Sequence, residues 1–563
     1  ERSRRLLLLR AIVDEVAKSP ETSAPLPSPE DAWDLLARTQ HVAPSVLDLV
    51  LAHPYTGSWA GYTMRLISSH ITGVGPLWAH VGHVHALAAS AAIQAGIRFD
   101  TTIPVWQGNA ILPMVGMVRL PIDEPWSVAE IRGRHGNIEI DTGSVTVRLP
   151  ADLTTDAPGW WAVRRTTRRT GGHELAVRLD DIDPYRGPYE PLPPQRLDDT
   201  DANVWRGLLA DAWTLIRRCR PATADAMRAG LDSIVPRPPM RFRTASASSD
   251  DAFGSAIVAR PPDAATLAAM LVHEFQHNLL SVLLRLVQLT EADPRERLYA
   301  PWRNDPRPID GVVQGLYAFF GVTAFWRALA RTDLSDRTAA FEFTYHRAIT
   351  WRTLTALRGD AAMTGTGRRF LDGIADVLGP WQDESVAADI ADAAATVGTD
   401  HYLGWRIRYV RPAAAEDLAA AWLTEGTPSV PDGDDAPTPV PDGDWSHARA
   451  NLCRLLMAAG PNEHASPLTS VPDATHADLA LTTGRFLDAA RGYRAELTKD
   501  PDRPASWTGL ILALSAMGTS PAVRTLLRRP ELVRAVHRAI RTRATQGIPT
   551  PEELADWLSR FIR

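Results

Sequence analysis

Apolar residues recur every three to four positions through most of the chain, and that spacing predicts helices. In the first hundred residues it runs through 45–52 and 77–96, with abundant Ala. From 101 to about 184 the pattern changes. Gly108, Gly116, Gly136 and Gly143 punctuate short β-branched runs such as Ile138-Glu139-Ile140 and Val145-Thr146-Val147, which predict strands and turns. A Pro-rich passage over 185–196 gives way to a helix predicted from about 199 to 218. From about Pro262 the helical period returns, with long elements at 263–290, 309–331, 335–358 and 365–378. Between 426 and 445 a Pro/Asp/Gly tract repeats VPDGD and has too little apolar surface to pack, so it reads as a linker. Beyond it, Ala477, Gly484, Ala489, Tyr493, Pro501, Trp507 and Gly509 keep the offsets of a tetratricopeptide-type helix pair and the start of a second. One repeat and a fraction cannot stand alone, so this tail is expected to pack on the main body. The pattern predicts an α+β, predominantly helical protein in five segments: an N-terminal helical region (1–100), a β-rich region (101–198), a helical catalytic region (199–425), the linker (426–445) and a tetratricopeptide-like tail (446–563).

Composition narrows the partners. The chain has 563 residues, 45% of them hydrophobic, and a net charge of −6. That is enough to bury a large core, and no basic stripe of the kind a phosphate backbone demands is visible, so nucleic acid is not an expected partner. Cys219 and Cys453 are too few and too far apart for a disulfide framework, which fits a reducing compartment, the cytoplasm. No apolar run of about 18–20 residues is read as a membrane span, and the charged, Leu-rich start is read as neither signal peptide nor anchor. Lys appears only at positions 18 and 499 among 60 basic residues. That bias reads as a GC-rich, bacterial coding sequence.

Chemistry is concentrated in His273-Glu274-Phe275-Gln276-His277, inside a segment that is apolar nearly all round and therefore predicted to be a buried helix. Residues four apart share a helix face, so His273 and His277 can aim both imidazoles at one divalent cation. The bland alternative is two core histidines bonded to carbonyls, with Glu274 in a salt bridge. Burying three ionisable groups without a metal is costly, which favours the metal. The peptidase signatures then fail. A metzincin needs Gly and His where Leu280 and Leu283 stand, and the following helix, 310–331, holds no Glu to act as a gluzincin ligand. The next carboxylate on an apolar helix is Glu342, with His346 one turn on, and either can complete a triad; Glu342 can equally pair with Arg347 or Arg352. Two histidines and a carboxylate form the facial triad of non-haem iron(II) oxygenases, so the motif permits oxidation as well as zinc hydrolysis.

The run HEFQH…LVQL…YAPWRNDPRPIDGVVQGLYAFFGVTAFW resembles the HExxH-type peptide β-hydroxylases of actinobacterial ribosomal-peptide pathways, which also occur fused to radical-SAM maturases. His53-Pro54-Tyr55 with Trp59, the LPMVG stretch at 112–116, the run from Leu179 through Asp180, Asp181 and Asp183 to Arg186, Trp213 and Phe253-Gly254 extend the resemblance over most of 40–380. It implies an Fe(II)- and 2-oxoglutarate-dependent enzyme that hydroxylates a β-carbon in a precursor peptide. Carried onto this sequence, it makes His273 and His277 iron ligands and Glu342 the chosen third, with His346 in reserve. The far carboxylate of 2-oxoglutarate needs a cation, for which Arg347, Arg303 and Arg307 are candidates; each can instead be structural, against Asp305 or Asp310. Glu274, the general base of a peptidase, becomes here a group that orients a ligand or a water. The alternative is a zinc-dependent peptidase, and a third possibility is a non-catalytic metal-stabilised or repeat-type peptide-binding protein.

Two polar clusters are read as structural. His80, His83 and His85 do not converge on one helix face and are expected to be solvated or capped. Asp180, Asp181 and Asp183 lack the Gly and distal Glu of a calcium loop, and are expected to fix the turn at Pro184 and pair with Arg186.

Overall fold

Proline opens many of the helices, where its missing N–H goes unused and its fixed φ suits the first turn. In a computed structural model the described residues are 1–68, 71–134, 136–170, 172–242, 245–427, 436–459, 470–544 and 546–561. They are predominantly helical with two β-sheets, as the pattern predicts. The chain divides into two compact units, 1–283 and 284–563. That division falls inside the stretch 199–425 expected to be a single helical region.

The first unit opens with α1 (Arg2–Ala17), α2 (Pro29–Val42), α3 (Pro44–Ala52), α4 (Pro54–Ile67), α5 (Leu77–Val81) and α6 (His83–Ala95). The helix expected over 77–96 is broken at Gly82, where a side chain would run into Leu26 and the Trp78 carbonyl. Ala-rich α6 is buried on nearly every face between α2 and a seven-stranded antiparallel sheet. That sheet comprises β1 (Phe99–Trp106), β2 (Asn109–Leu112), β3 (Gly116–Arg119), β4 (Trp126–Arg134), β5 (Asn137–Asp141), β6 (Thr146–Arg148) and β7 (Trp160–Ala162), ordered β6-β5-β4-β1-β2-β3-β7. Ile103, Val105, Ile131 and Ile140 point from it into one core with Leu87, Trp59 and Tyr55.

A second sheet is built from β8 (Arg164–Thr170), β9 (His173–Leu179), β10 (Ser233–Arg237), β11 (Ser246–Ala247) and β12 (Ser255–Ala259), ordered β11-β12-β10-β9-β8. β10 runs parallel to both β9 and β12. The parallel step from β9 to β10 needs a long crossover, supplied by α7 (Asp199–Cys219) and α8 (Pro221–Gly230). β10, β11 and β12 therefore interrupt the region expected to be helical: a parallel strand buried on both faces shows no alternation, so its short apolar run gives no strand signal. α9 (Ala264–Leu284) follows and carries the HExxH residues.

The second unit is all helical in its named elements. α10 (Ile309–Thr332) and α11 (Arg337–Arg358) form a hairpin, followed by α12 (Gly365–Leu378), α13 (Ala388–Tyr409), α14 (Ala415–Leu423) and α15 (Ala448–Ala459). The C-terminal array is α16 (His476–Thr482), α17 (Phe486–Lys499), α18 (Pro504–Met517), α19 (Pro521–Arg528), α20 (Pro530–Arg543) and α21 (Pro551–Leu558). Its core includes Leu403, Ile407 and Leu418 of α13 and α14, so the repeat-like tail is continuous with the helices before it. Buried Arg449 ties these helices together, paired with Asp400 and Asp478 and bonded to Thr508. The first VPDGD copy lies outside the described residues. The second is anchored: Asp442 pairs with Arg534 and Arg538, and Trp445 packs on Gly404, so charge and one aromatic ring hold a segment that was expected to be a free linker.

By length and composition, α9 and α10 are apolar enough to cross a membrane, which corrects the expectation that no such run exists. Two-thirds of each is buried inside the protein, the behaviour of a core helix.

Candidate metal centre

α9 is fixed at both ends of its motif. Asp263 caps it, Oδ1 accepting from the Thr266 amide at 2.7 Å. Buried Asn278 sets its rotation: Oδ1 accepts from the Gly254 amide at 3.0 Å, and Nδ2 donates to the carbonyls of Glu274 at 2.8 Å and Ser255 at 3.3 Å. Gly254 holds φ +93°, and a Cβ there would meet the Gly230 carbonyl, so only glycine lets this loop reach Asn278. With Phe275 and Asn278 buried, His273 and His277 share a half-buried face. Their rings stand edge to face with centroids 4.6 Å apart and Nε2 atoms 3.1 Å apart. One ion bonded at about 2.0–2.1 Å to each nitrogen spans that separation. The pair fits a divalent cation.

Glu274 is buried, with Oε1 4.0 Å from His273 Nε2. Burial pushes its carboxyl above the ordinary range, against the opposing influence of Ser246, His277 and Ser248.

The remaining expected residues lie in the second unit. Glu342 does not pair with Arg347 or Arg352; it accepts from Arg454 Nε at 2.6 Å and Nη2 at 3.4 Å, and its Oε2 lies 3.4 Å from His346 Nε2. Burial works against its charge, yet Arg454 and His346 hold its carboxyl at about 2. His346 is buried and its Nδ1 has no hydrogen-bond partner. Arg347 donates to the carbonyls of Trp381 and Glu384 at 2.7 and 2.8 Å and lies over the Phe343 ring. Arg303 and Arg307 both pair with Asp305, closing their loop.

The structure also brings together a group that sequence reasoning missed. His53, Asp180 and Asp183 are all buried, and one ligand atom from each lies within 4.8 Å of the others, so the group can hold a metal ion. His53 caps α4, and the loop behind it is pinned by Arg5, which donates to the carbonyls of Leu51, Ala52 and His53. Asp180 follows β9 directly. As expected, these aspartates fix the turn at Pro184: Asp180 Oδ1 accepts from the amides of Ile182 and Asp183, and Asp183 Oδ1 from that of Tyr185. Asp181 instead pairs with Arg164 and Arg196, and Arg186 bonds only carbonyls, those of Asp183, Leu192 and Pro193, rather than the expected carboxylates. The signal lay in two motifs far apart in sequence, His53-Pro54 and the Asp-rich turn, which only the second sheet juxtaposes.

The neighbouring histidines are not solvated. His80 bonds Tyr185 Oη and the Val74 carbonyl, and His85 bonds Thr101 and the Pro27 carbonyl. Both are core histidines with their own partners. His83 is buried between Trp59 and Tyr185, and burial lowers it to about 4.

Compared with known proteins, the chain matches no family model and no curated sequence.

Proposed function

We propose that this protein is an Fe(II)- and 2-oxoglutarate-dependent oxygenase that hydroxylates a β-carbon in a ribosomally made precursor peptide. The observation that supports it is the convergence of His273 and His277 Nε2 at 3.1 Å on a helix whose rotation Asn278 locks. The resemblance of the surrounding sequence to peptide β-hydroxylases selects oxidation over hydrolysis. Bound iron and 2-oxoglutarate would supply the oxidant and the oxygen atom; the protein's task is to hold them and the peptide.

Glu342 is the third ligand chosen from the resemblance, with His346 in reserve, and the two face each other within the second unit. Glu342 is already neutralised by Arg454, whereas His346 keeps a buried Nδ1 without a hydrogen-bond partner and is oriented through Nε2 by Glu342. All three candidate arginines already have partners, Asp305 for Arg303 and Arg307 and the carbonyls of Trp381 and Glu384 for Arg347. The unpaired thiols of Cys219 and Cys453 fit a cytoplasmic setting.

One observation favours a zinc peptidase as the second reading: a buried carboxyl with raised affinity for protons, Glu274, stands beside His273, where a hydrolytic base would be. Mass spectrometry of the co-expressed precursor peptide separates the two. Gain of one oxygen, dependent on Fe(II) and matched by succinate release from 2-oxoglutarate, is expected. Chain cleavage with zinc alone overturns the oxygenase.

A further inference from the structure

Two carboxylates and one imidazole meet at the end of β9. Asp180 and Asp183 each spend Oδ1 on main-chain amides, which aims both Oδ2 atoms into the cluster, and neither Oδ2 has a hydrogen-bond partner. Neither does either ring nitrogen of His53. His53 Nε2 stands 3.7 Å from Asp183 Oδ2, too far for a hydrogen bond but within the span of two bonds of about 2.1 Å to a common ion. Arg186, whose charge acts on both carboxylates, has committed its terminal nitrogens to three carbonyls. Buried polar atoms that lack partners are rare in folded proteins, and uncompensated buried carboxylates are costly. Three such atoms, Asp180 Oδ2, Asp183 Oδ2 and His53 Nε2, gather closely enough to share a cation.

The surroundings match a metal site in a second respect. His53 Nδ1 lies 3.5 Å from Asp232 Oδ2, and Asp232 is itself held by Arg178. A carboxylate on the far nitrogen of a ligating histidine fixes the ring and its tautomer and strengthens the nitrogen that binds. Tyr55 packs edge-on against the imidazole and is anchored through its hydroxyl to Ser233 and Ser255, so the ring cannot turn away.

We infer that His53, Asp180 and Asp183 form a second metal site, structural in role, for a divalent transition-metal ion such as Mn2+ or Zn2+. One nitrogen and two carboxylate oxygens suit these ions better than Ca2+, which takes oxygen ligands only. Burial of all three side chains closes the site to substrate. The ion joins the start of α4 to the end of β9, with Asp232 ahead of β10 as the orienting group. The site is independent of His273 and His277, so it stands or falls apart from the oxygenase reading.

Metal counting on the intact chain tests it. The protein is stripped with chelator, reloaded with Zn2+ or Mn2+ in separate samples, freed of excess ion and analysed by inductively coupled plasma mass spectrometry. Two ions per chain are expected, falling to one in His273→Ala/His277→Ala and to one in Asp183→Asn. If the HExxH pair holds no metal, the wild type retains a single ion that survives the double substitution and disappears in Asp183→Asn. Full retention of metal in folded Asp183→Asn overturns the site, as does complete loss in His273→Ala/His277→Ala. Should Asp183→Asn fail to fold, X-ray absorption on Mn2+-loaded His273→Ala/His277→Ala decides: one imidazole in an otherwise oxygen shell is expected, and a shell without imidazole overturns the assignment.

Discussion

Glu274 distinguishes the two chemistries more sharply than the histidines beside it, because both chemistries need the histidines. Burial favours its neutral form, so Glu274→Gln removes a disfavoured charge at almost constant volume. If the residue only orients groups around the metal, the variant keeps iron with an affinity loss no larger than about 10–100-fold. Isothermal titration with Fe(II) under anaerobic conditions measures this, and complete loss of metal at the His273–His277 pair would count against the orienting role. A second residue-scale effect lies at His537, buried against Trp507 and lowered to about 4, first by burial and then by Arg541. A histidine that resists protonation when folded contributes stability at and above its ordinary value of about 6.5. That contribution is lost as pH falls from there toward 4, because the unfolded chain takes the proton first. His537→Phe should therefore flatten the decline of the urea midpoint between pH 7 and pH 5, and an unchanged slope would refute the assignment. Such effects are invisible in sequence: His537 in α20 is buried by the packing of Trp507, whereas His476 at the start of α16 is exposed.

At the scale of elements, α18 shows two principles in conflict. Gly509 lies in the middle of a helix, where alanine is intrinsically better by about 0.8–1 kcal/mol. The Tyr493 ring of α17 occupies the place a Cβ would take. Overpacking of a filled core costs about 1–3 kcal/mol, and Tyr493 cannot yield easily, since its hydroxyl donates to Asp478 at 2.7 Å within the Arg449 network. The steric term wins. Gly509→Ala should destabilise the protein by up to about 2 kcal/mol in chemical denaturation, and a stabilised variant would show that α17 can shift. This pair also explains what was legible. Gly509 and Tyr493 were readable as repeat positions because a tight helix pair demands small against large at fixed offsets. The long helices over 309–358 and 365–378 were readable because one face is apolar at helical spacing. The strands β10 and β12 were not, since a buried parallel strand has no polar face to alternate with. The His53 group was hidden for a related reason: its residues belong to separate motifs, and only the parallel pairing of β9 with β10 aligns Asp180 and Asp232 beside the start of α4.

For the whole molecule, the two units differ in how they are held. The first contains His273, His277 and the His53 group, each suited to a cation, whereas the core shared by α13, α14 and α16–α21 is closed by apolar packing and by the Arg449 network. An ion that binds only the folded state stabilises by mass action, by about 2.7 kcal/mol at a free concentration one hundred times Kd. Removing it should therefore loosen the elements it joins and leave an apolar core elsewhere at its former stability. Hydrogen exchange on the intact chain, followed by mass spectrometry with and without chelator, reads this segment by segment. Faster exchange is expected at the start of α4, in the turn over 180–186 and in the middle of α9, with unchanged protection in α17, α18 and α20. Uniform loosening of both units would mean that metal supports folding globally rather than at these sites, and no change anywhere would mean that neither site contributes to stability. Restoring Zn2+ or Mn2+ should return protection at the His53 group even in His273→Ala/His277→Ala, because Asp180, Asp183 and Asp232 keep their backbone and arginine supports in that variant.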